Sequence, residues 1–159
     1  MVLAMDTRPA AYAVIIEQGR VLLTHWPGGG NPERAGWTLP GGGMQPGERP
    51  EQTVVREVYE ETGYRIRLES LLGADSRYGD GARLPSGAHR TFHVLRLVYR
   101  AHILTGELGI TLPEESTDDA QWIPLDQLEA LPTLSLVEAA QAMLAGSQGC
   151  GRGTVGGQS

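Results

Sequence analysis

The longest uninterrupted apolar run, Ala10 to Ile16, is seven residues long, and Glu17, Gln18 and Gly19 separate it from the segment Arg20 to Thr24. β-branched and aromatic residues on both sides of a short polar glycine turn predict a β-hairpin. The prolines and glycines between His25 and Gly36 predict a loop, Trp37 to Leu39 a short strand ending at Pro40, and Gly41 to Gly43 a flexible turn. Helical spacing begins after Gly47, with Pro50 in the first turn and Glu51 near the positive end of the helix dipole, and it stops at Gly63. Tyr64 to Leu72 predicts another strand. Ala74 to Arg90 reads as a long polar loop, placed to line a substrate site.

In Phe92 to Ile103, Leu95, Leu97, Tyr99, Ala101 and Ile103 alternate with Arg96, Val98, Arg100 and His102, the period of a half-buried strand. After the acidic loop Glu114 to Asp119, Gln121 to Ile123 predicts a short strand and Leu125 to Leu131 a short helix. Ser135 and Glu138 are spaced as a capping box, predicting a last helix from Leu136 to about Leu144 with Leu136, Ala140, Met143 and Leu144 facing inward. Strands and helices interleave, so the expected class is α/β: one domain over residues 1–145, followed by a glycine-rich flexible tail over 146–159.

All 13 basic residues are arginine, which excludes a P-loop lysine, a lysine Schiff base and a serine–lysine dyad. A formal charge of −6 argues against duplex nucleic acid as a partner. No apolar run approaches the ~20 residues of a membrane helix, and MVLAMDTRPA carries no basic stretch leading into a hydrophobic one, so the expectation is a soluble, cytoplasmic chain. Cys150 stands alone, without a partner for a disulfide or a cysteine zinc cage. His25, His89, His93 and His102 show no metal-ligand spacing.

The acid is concentrated. Five glutamates and two arginines fall between Glu48 and Glu61. At about 100° per residue, Glu57, Glu60 and Glu61 share one narrow arc of the helix, opposite Val54, Val55, Val58 and Tyr59. Carboxylates at i, i+3 and i+4 repel one another unless a cation or an arginine lies between them, and hard oxygen ligands at this density suit Mg²⁺ or Mn²⁺. A solvated acidic face is the plain alternative for such a run.

The glycine segment ahead of the helix decides between them. From Gly42, five residues lead to Glu48, and seven more lead to Arg56, Glu57, Val58, Tyr59, Glu60, Glu61, Thr62 and Gly63. This spacing resembles the box of the Nudix (MutT-like) hydrolases, with eight of nine positions in agreement and the aromatic Tyr64 at the ninth. WTLPGG (Trp37 to Gly42) and WIPLDQL (Trp122 to Leu128) resemble the family as well.

The resemblance implies a Nudix fold, a mixed β-sheet sandwiched between α-helices. It also implies metal-dependent hydrolysis of a nucleoside diphosphate linked to another moiety: a nucleoside triphosphate, an oxidised dNTP, or a nucleotide sugar such as ADP-ribose. By carry-over, Glu57 and Glu61 are expected as direct ligands of Mg²⁺ or Mn²⁺, Glu60 as a third ligand or water contact, and the Gly41 carbonyl as a backbone ligand. Arg56 would brace the carboxylates. Glu48 would tie the loop to the helix or touch a second metal. The general base is left between Glu57 or Glu60 and an acid of the loop Glu114, Glu115, Asp118 and Asp119, with Glu57 and Glu115 the first to test. Arg8, Arg34, Arg77, Arg83, Arg96 and Arg100 are candidates for phosphate contact, Trp26 and Tyr78 for stacking on a base, and Trp37 for the core. Homodimerisation is left open. The alternative function is a Nudix-fold sensor that binds a nucleotide or sugar phosphate without turnover; an unrelated α/β binding domain with a coincidental acidic helix ranks below it.

Overall fold

The computed structural model describes residues 5–83, 89–112 and 117–149. The strands are β1 (Met5–Glu17), β2 (Arg20–Trp26), β3 (Gly36–Thr38), β4 (Gly41–Gly43), β5 (Tyr64–Arg83), β6 (His89–Gly106) and β7 (Asp119–Pro124), and the helices are α1 (Pro50–Thr62) and α2 (Ser135–Gly149). Single 3₁₀ turns cover Pro32–Arg34 and Leu125–Ala130.

The expected hairpin forms. Gln18 and Gly19 both take positive φ, 50° and 71°, as a tight two-residue turn between right-twisted strands requires. Strand β1 is the spine of the sheet. Along one edge it pairs in parallel with β6, from Met5↔Thr91 to Ile15↔Ala101. On its other edge it pairs antiparallel first with β4 and then with β2. β5 closes one side against β6, while β3 and β7 flank β2.

Because β1 lies inside the sheet, its alternating side chains are buried on both faces. Ala11, Ala13 and Ile15 pack with Val54 and Val58 of α1, Tyr99 and Ala101 of β6, and Leu22. Val14, Leu23, Leu39 and Val98 pack on the opposite face with Leu136, Val137 and Ala140 of α2 and Leu128 of the second 3₁₀ turn. The result is a mixed sheet between helices, the α/β sandwich expected.

Four local expectations change. Gly41 to Gly43 is a strand paired with Ala10 to Tyr12 rather than a flexible turn. The polar stretch from Ala74 to Arg83 continues β5 as one arm of a long hairpin with β6, bent by register shifts, rather than opening a loop; residues 84–88 lie outside the described residues. β6 is covered on both faces, so Val98 and even Arg96 are buried alongside Tyr99 and Ala101. Helix α2 runs on to Gly149, beyond the expected end near Leu144 and into the segment read as tail. Cys150 and the residues after it lie outside the described residues. Met143 and Leu144 pack against the α2-side core, as expected. Among the described residues no helix is long and apolar enough to cross a membrane.

Candidate active site

Helix α1 is fixed at both ends. The Arg49 backbone N–H donates to Gln52 Oε1 at 2.9 Å, so Gln52 supplies the capping that Arg49 lacks as a side chain. At the other end Gly63 takes φ 76°, and its N–H donates to Tyr59 O at 2.9 Å, an αL termination that favours glycine. The segment after β6 completes that end: the N–H groups of Gly109 and Thr111 donate to Thr62 O and Glu60 O, each at 2.9 Å.

The arc of α1 that packs differs from the helical-wheel expectation. Val54 and Val58 are buried, but Val55 and Tyr59 are exposed, and the Arg65 guanidinium lies 4.5 Å from the Tyr59 ring centre. The acidic arc turns inward instead. Glu57 is only 8% exposed and Glu61 only 3%. A buried carboxylate loses its hydration and must be compensated by charge or hydrogen bonds. Glu61 accepts a hydrogen bond from the Gly41 N–H at 2.9 Å and another from the Thr117 hydroxyl. Glu57 accepts one from Arg56 Nη1 at 2.9 Å.

Space for Glu57 comes from β4. A Cβ on Gly42 would stand 2.7 to 2.9 Å from the three atoms of the Glu57 carboxyl group, so a residue with a side chain there would displace it. Gly43 leaves room in the same way for the Arg8 guanidinium.

Arg56 lies among the acids. Its Nε donates to Glu48 Oε1 at 2.6 Å, its Nη2 to Glu48 Oε2 at 3.0 Å and to Gly43 O at 3.2 Å, and its Nη1 to Glu60 Oε2 at 3.1 Å as well as to Glu57. The two-pronged bond with Arg56 holds the Glu48 carboxyl at about 2, well below its ordinary value of 4.5, with help from the Gln45 N–H and the Thr53 hydroxyl.

Beside these residues a cleft of about 1140 Å³ opens on the α2-side face of the sheet. Gly41, Gly42, Gly43, Arg56, Glu57, Glu61 and Thr117 form one part of its wall. Tyr12 also lines the cleft, and burial pushes its phenol up, with the charges of Arg96 and Arg8 opposing and those of Glu61 and Glu57 reinforcing the rise.

Of the residues singled out from the sequence, Gly41, Glu48, Arg56, Glu57, Glu60 and Glu61 come together, whereas Glu114 and Glu115 lie outside the described residues. Asp118 bonds His25 at 2.6 Å, and Asp119 caps its own strand through the Ala120 N–H. Arg8, Arg34, Arg77 and Arg96 line the cleft, as does Trp26. Arg100 and Tyr78 are not among its lining residues, and the Arg83 side chain lies outside the described residues. Trp37 packs against the core. His93 sits edge-on to Tyr78 and His102 bonds Glu69, while the His89 side chain is not among those described.

Tyr12 and Thr117 were missed. Tyr12 stood in an apolar run that any central strand would show, and Thr117 reaches Glu61 across 56 residues, a contact without a local signature.

Among the described residues no three acidic, histidine or cysteine side chains converge as a ready-made metal cage. Arg56 Nη1 occupies Glu57 Oε1 and Glu60 Oε2, while Gly41 and Thr117 hold the two oxygens of Glu61. The donor chemistry still fits a hard divalent cation, since every acid around the glycine strand offers carboxylate oxygen and none offers sulfur or imidazole.

The sequence matches the NUDIX domain over residues 6–144. The chain belongs to the Nudix family. It is 36% identical over 105 residues to an ADP-ribose pyrophosphatase of Methanocaldococcus jannaschii, a stretch that is 66% of this chain and 54% of that protein. The Nudix chain thus spans about half the length of this relative. It is 34% identical over 104 residues to the nucleoside triphosphatase NudI of an Enterobacter species, covering 65% of this chain and 70% of NudI. The crystal structure of a MutT Nudix hydrolase from Burkholderia pseudomallei superposes with a TM-score of 0.58 at 31% identity, over 88% of this chain and 97% of that one.

Proposed function

We propose that this Nudix protein is a cytoplasmic pyrophosphohydrolase that needs Mg²⁺ or Mn²⁺. Its substrate is a small nucleotide: a nucleoside triphosphate, an oxidised dNTP, or a nucleotide sugar such as ADP-ribose, cleaved to a nucleoside monophosphate and the remaining phosphate product. The observation that carries this reading is the pair of buried carboxylates, Glu57 and Glu61, held against a side-chain-free strand in a cleft that arginines also line.

Burying two neighbouring carboxylates costs free energy, and a site that collects them beside phosphate-binding groups is suited to a cation shared with an anionic substrate. Bound there, the cation would supply neutralisation of the phosphate oxygens and a lowered pKa for a water molecule. Glu57 and Glu61 are assigned as its ligands, with Glu60, Glu48 and the Gly41 carbonyl as further oxygen donors. Arg56 keeps the like charges of Glu48, Glu57 and Glu60 together. Water attacks one phosphorus of the P–O–P bridge, the bridging oxygen leaves with the other phosphate, and the water's proton passes to a carboxylate, for which Glu57, Glu60 and Glu115 are the candidates.

Glu61→Gln tests the assignment. Turnover is expected to fall at least 100-fold with the melting temperature within a few degrees of wild type, a size typical of losing one electrostatic contact to a reacting centre. Full turnover in this variant would overturn the assignment. A nucleotide sensor would show no metal-dependent turnover in the wild type to lose.

A further inference from the structure

Arg96 is buried in the wall of the cleft, 9% exposed. The register of the sheet sets it beside Ala10 of β1 on one side and Asp75 of β5 on the other. Its Nε donates to Asp75 Oδ2 at 2.9 Å, and its Nη2 donates to the same oxygen. The side-on prong of the guanidinium is therefore spent inside the protein. Among the described residues the end-on prong, Nη1 with Nη2, meets Ser135 Oγ alone, at 3.4 and 3.5 Å, the long limit of a hydrogen bond. A guanidinium has five N–H groups, and a single hydroxyl at that distance leaves this prong poorly satisfied in a buried setting.

The charge of Arg96 is balanced by Asp75 inside the wall. A balanced guanidinium attracts an anion less than a bare one does and suits a neutral pair of acceptors. The same face of β6 continues through Val94 to Phe92, both of which line the cleft. The Phe92 ring lies against Gly79, where a Cβ would stand 3.1 Å from ring Cζ and 3.3 Å from Cε1. The absent side chain lets the ring lie on the strand beside it. The cleft wall thus carries a two-donor fork and, farther along the same strand face, an aromatic ring; the fork is the chemistry that reads a flat heterocycle by its edge.

Resting on the nucleotide reading above, we infer that Arg96, positioned by Asp75, reads the nucleobase and selects guanine over adenine. Guanine presents O6 and N7 as adjacent acceptors that match the end-on fork. Adenine presents N7 beside an N6–H₂ donor that opposes it.

The test compares kcat/KM for GTP and ATP, together with calorimetric binding of GMP and AMP, in wild type and in Arg96→Lys. Lysine keeps the positive charge beside Asp75 but has no fork. The expected result is a guanine preference of at least about tenfold in wild type, in kcat/KM and in binding, collapsing to within about twofold in Arg96→Lys. Equal losses for both bases in the variant would show a phosphate-binding or structural role and overturn the inference. So would wild-type protein that binds GMP and AMP alike, a measurement that decides the matter even if the variant fails to fold. Wild-type protein that prefers GMP in binding but hydrolyses no nucleotide would sustain the inference and sink the proposed hydrolysis; turnover without base preference would do the reverse.

Discussion

Gly42→Ala isolates the contact between the glycine strand and the acidic helix. Gly42 does not take a positive φ, so alanine is acceptable to the backbone and the effect comes from volume alone. The new methyl carbon would stand 2.7 Å from Glu57 Cδ and 2.8 and 2.9 Å from its two oxygens. Ordinary carbon contact begins near 3.5 Å, so the carboxylate must withdraw by roughly 0.8 Å. Glu57 sits at the end of a flexible side chain, so the fold can absorb this at about 1 kcal/mol, the low end of the usual overpacking cost. Catalysis cannot absorb it as easily, because a displacement of this size at a reacting centre costs about 100-fold. The assay is kcat/KM with Mg²⁺ on the best substrate, alongside the melting temperature. Gly47→Ala is the control: a Cβ there meets nothing within 4 Å but the φ of 82° strains it, so stability should drop while turnover holds. Wild-type kcat/KM in Gly42→Ala would refute the reasoning that Glu57 works from the position the glycine gives it.

Thr117→Val removes the hydroxyl that donates to Glu61 while keeping its shape, and should cost about 1–3 kcal/mol of stability and lower kcat about tenfold; unchanged values for both, by thermal melting and initial rates, would show that the bond does not position Glu61. Glu48 has a folded-state pKa of about 2 against an ordinary 4.5, so its contribution to stability is complete above about pH 4.5 and is lost as pH falls toward 2. In metal-free protein, denaturant midpoints of Glu48→Gln should therefore lie below wild type at pH 7 and converge with it between pH 4.5 and 2, and parallel acid profiles would contradict that. Leu22→Ala, at a fully buried position under α1, should destabilise by about 2–5 kcal/mol in urea titration, and a loss under 1 kcal/mol would mean that the α1-side core is not packed as described.

The residues from Glu48 to Gly63 were legible because their signal is local: carboxylates at helical spacing, an arginine among them and a glycine at the helix end. The partners that make those acids a site were not, because they arrive from other strands. Gly41 to Gly43 has the composition of a turn; pairing with Ala10 to Tyr12 keeps it in a strand, and Glu57 and Arg8 fill the space that side chains at Gly42 and Gly43 would take. Ala74 to Arg83 has the polarity of a loop, and its pairing with β6 supplies the order that its composition does not. Arg96 read as the wet face of a half-buried strand, and only the parallel partner β1 and the facing Asp75 show why an arginine is buried there. The exposure of Val55 and Tyr59 has a similar origin: the helix turns Glu57 and Glu61 toward the glycine strand, and the apolar arc shifts by part of a turn to follow.

The most direct test of the proposed hydrolysis is product formation from a panel of nucleoside triphosphates, oxidised dGTP, ADP-ribose, other nucleotide sugars and dinucleoside polyphosphates, each with Mg²⁺, with Mn²⁺ and with chelator. The expected result is cleavage of one class to a nucleoside monophosphate with either metal and none with chelator. Binding of the same compounds, seen as a raised melting temperature, without any cleavage would contradict hydrolysis and leave a nucleotide sensor in its place.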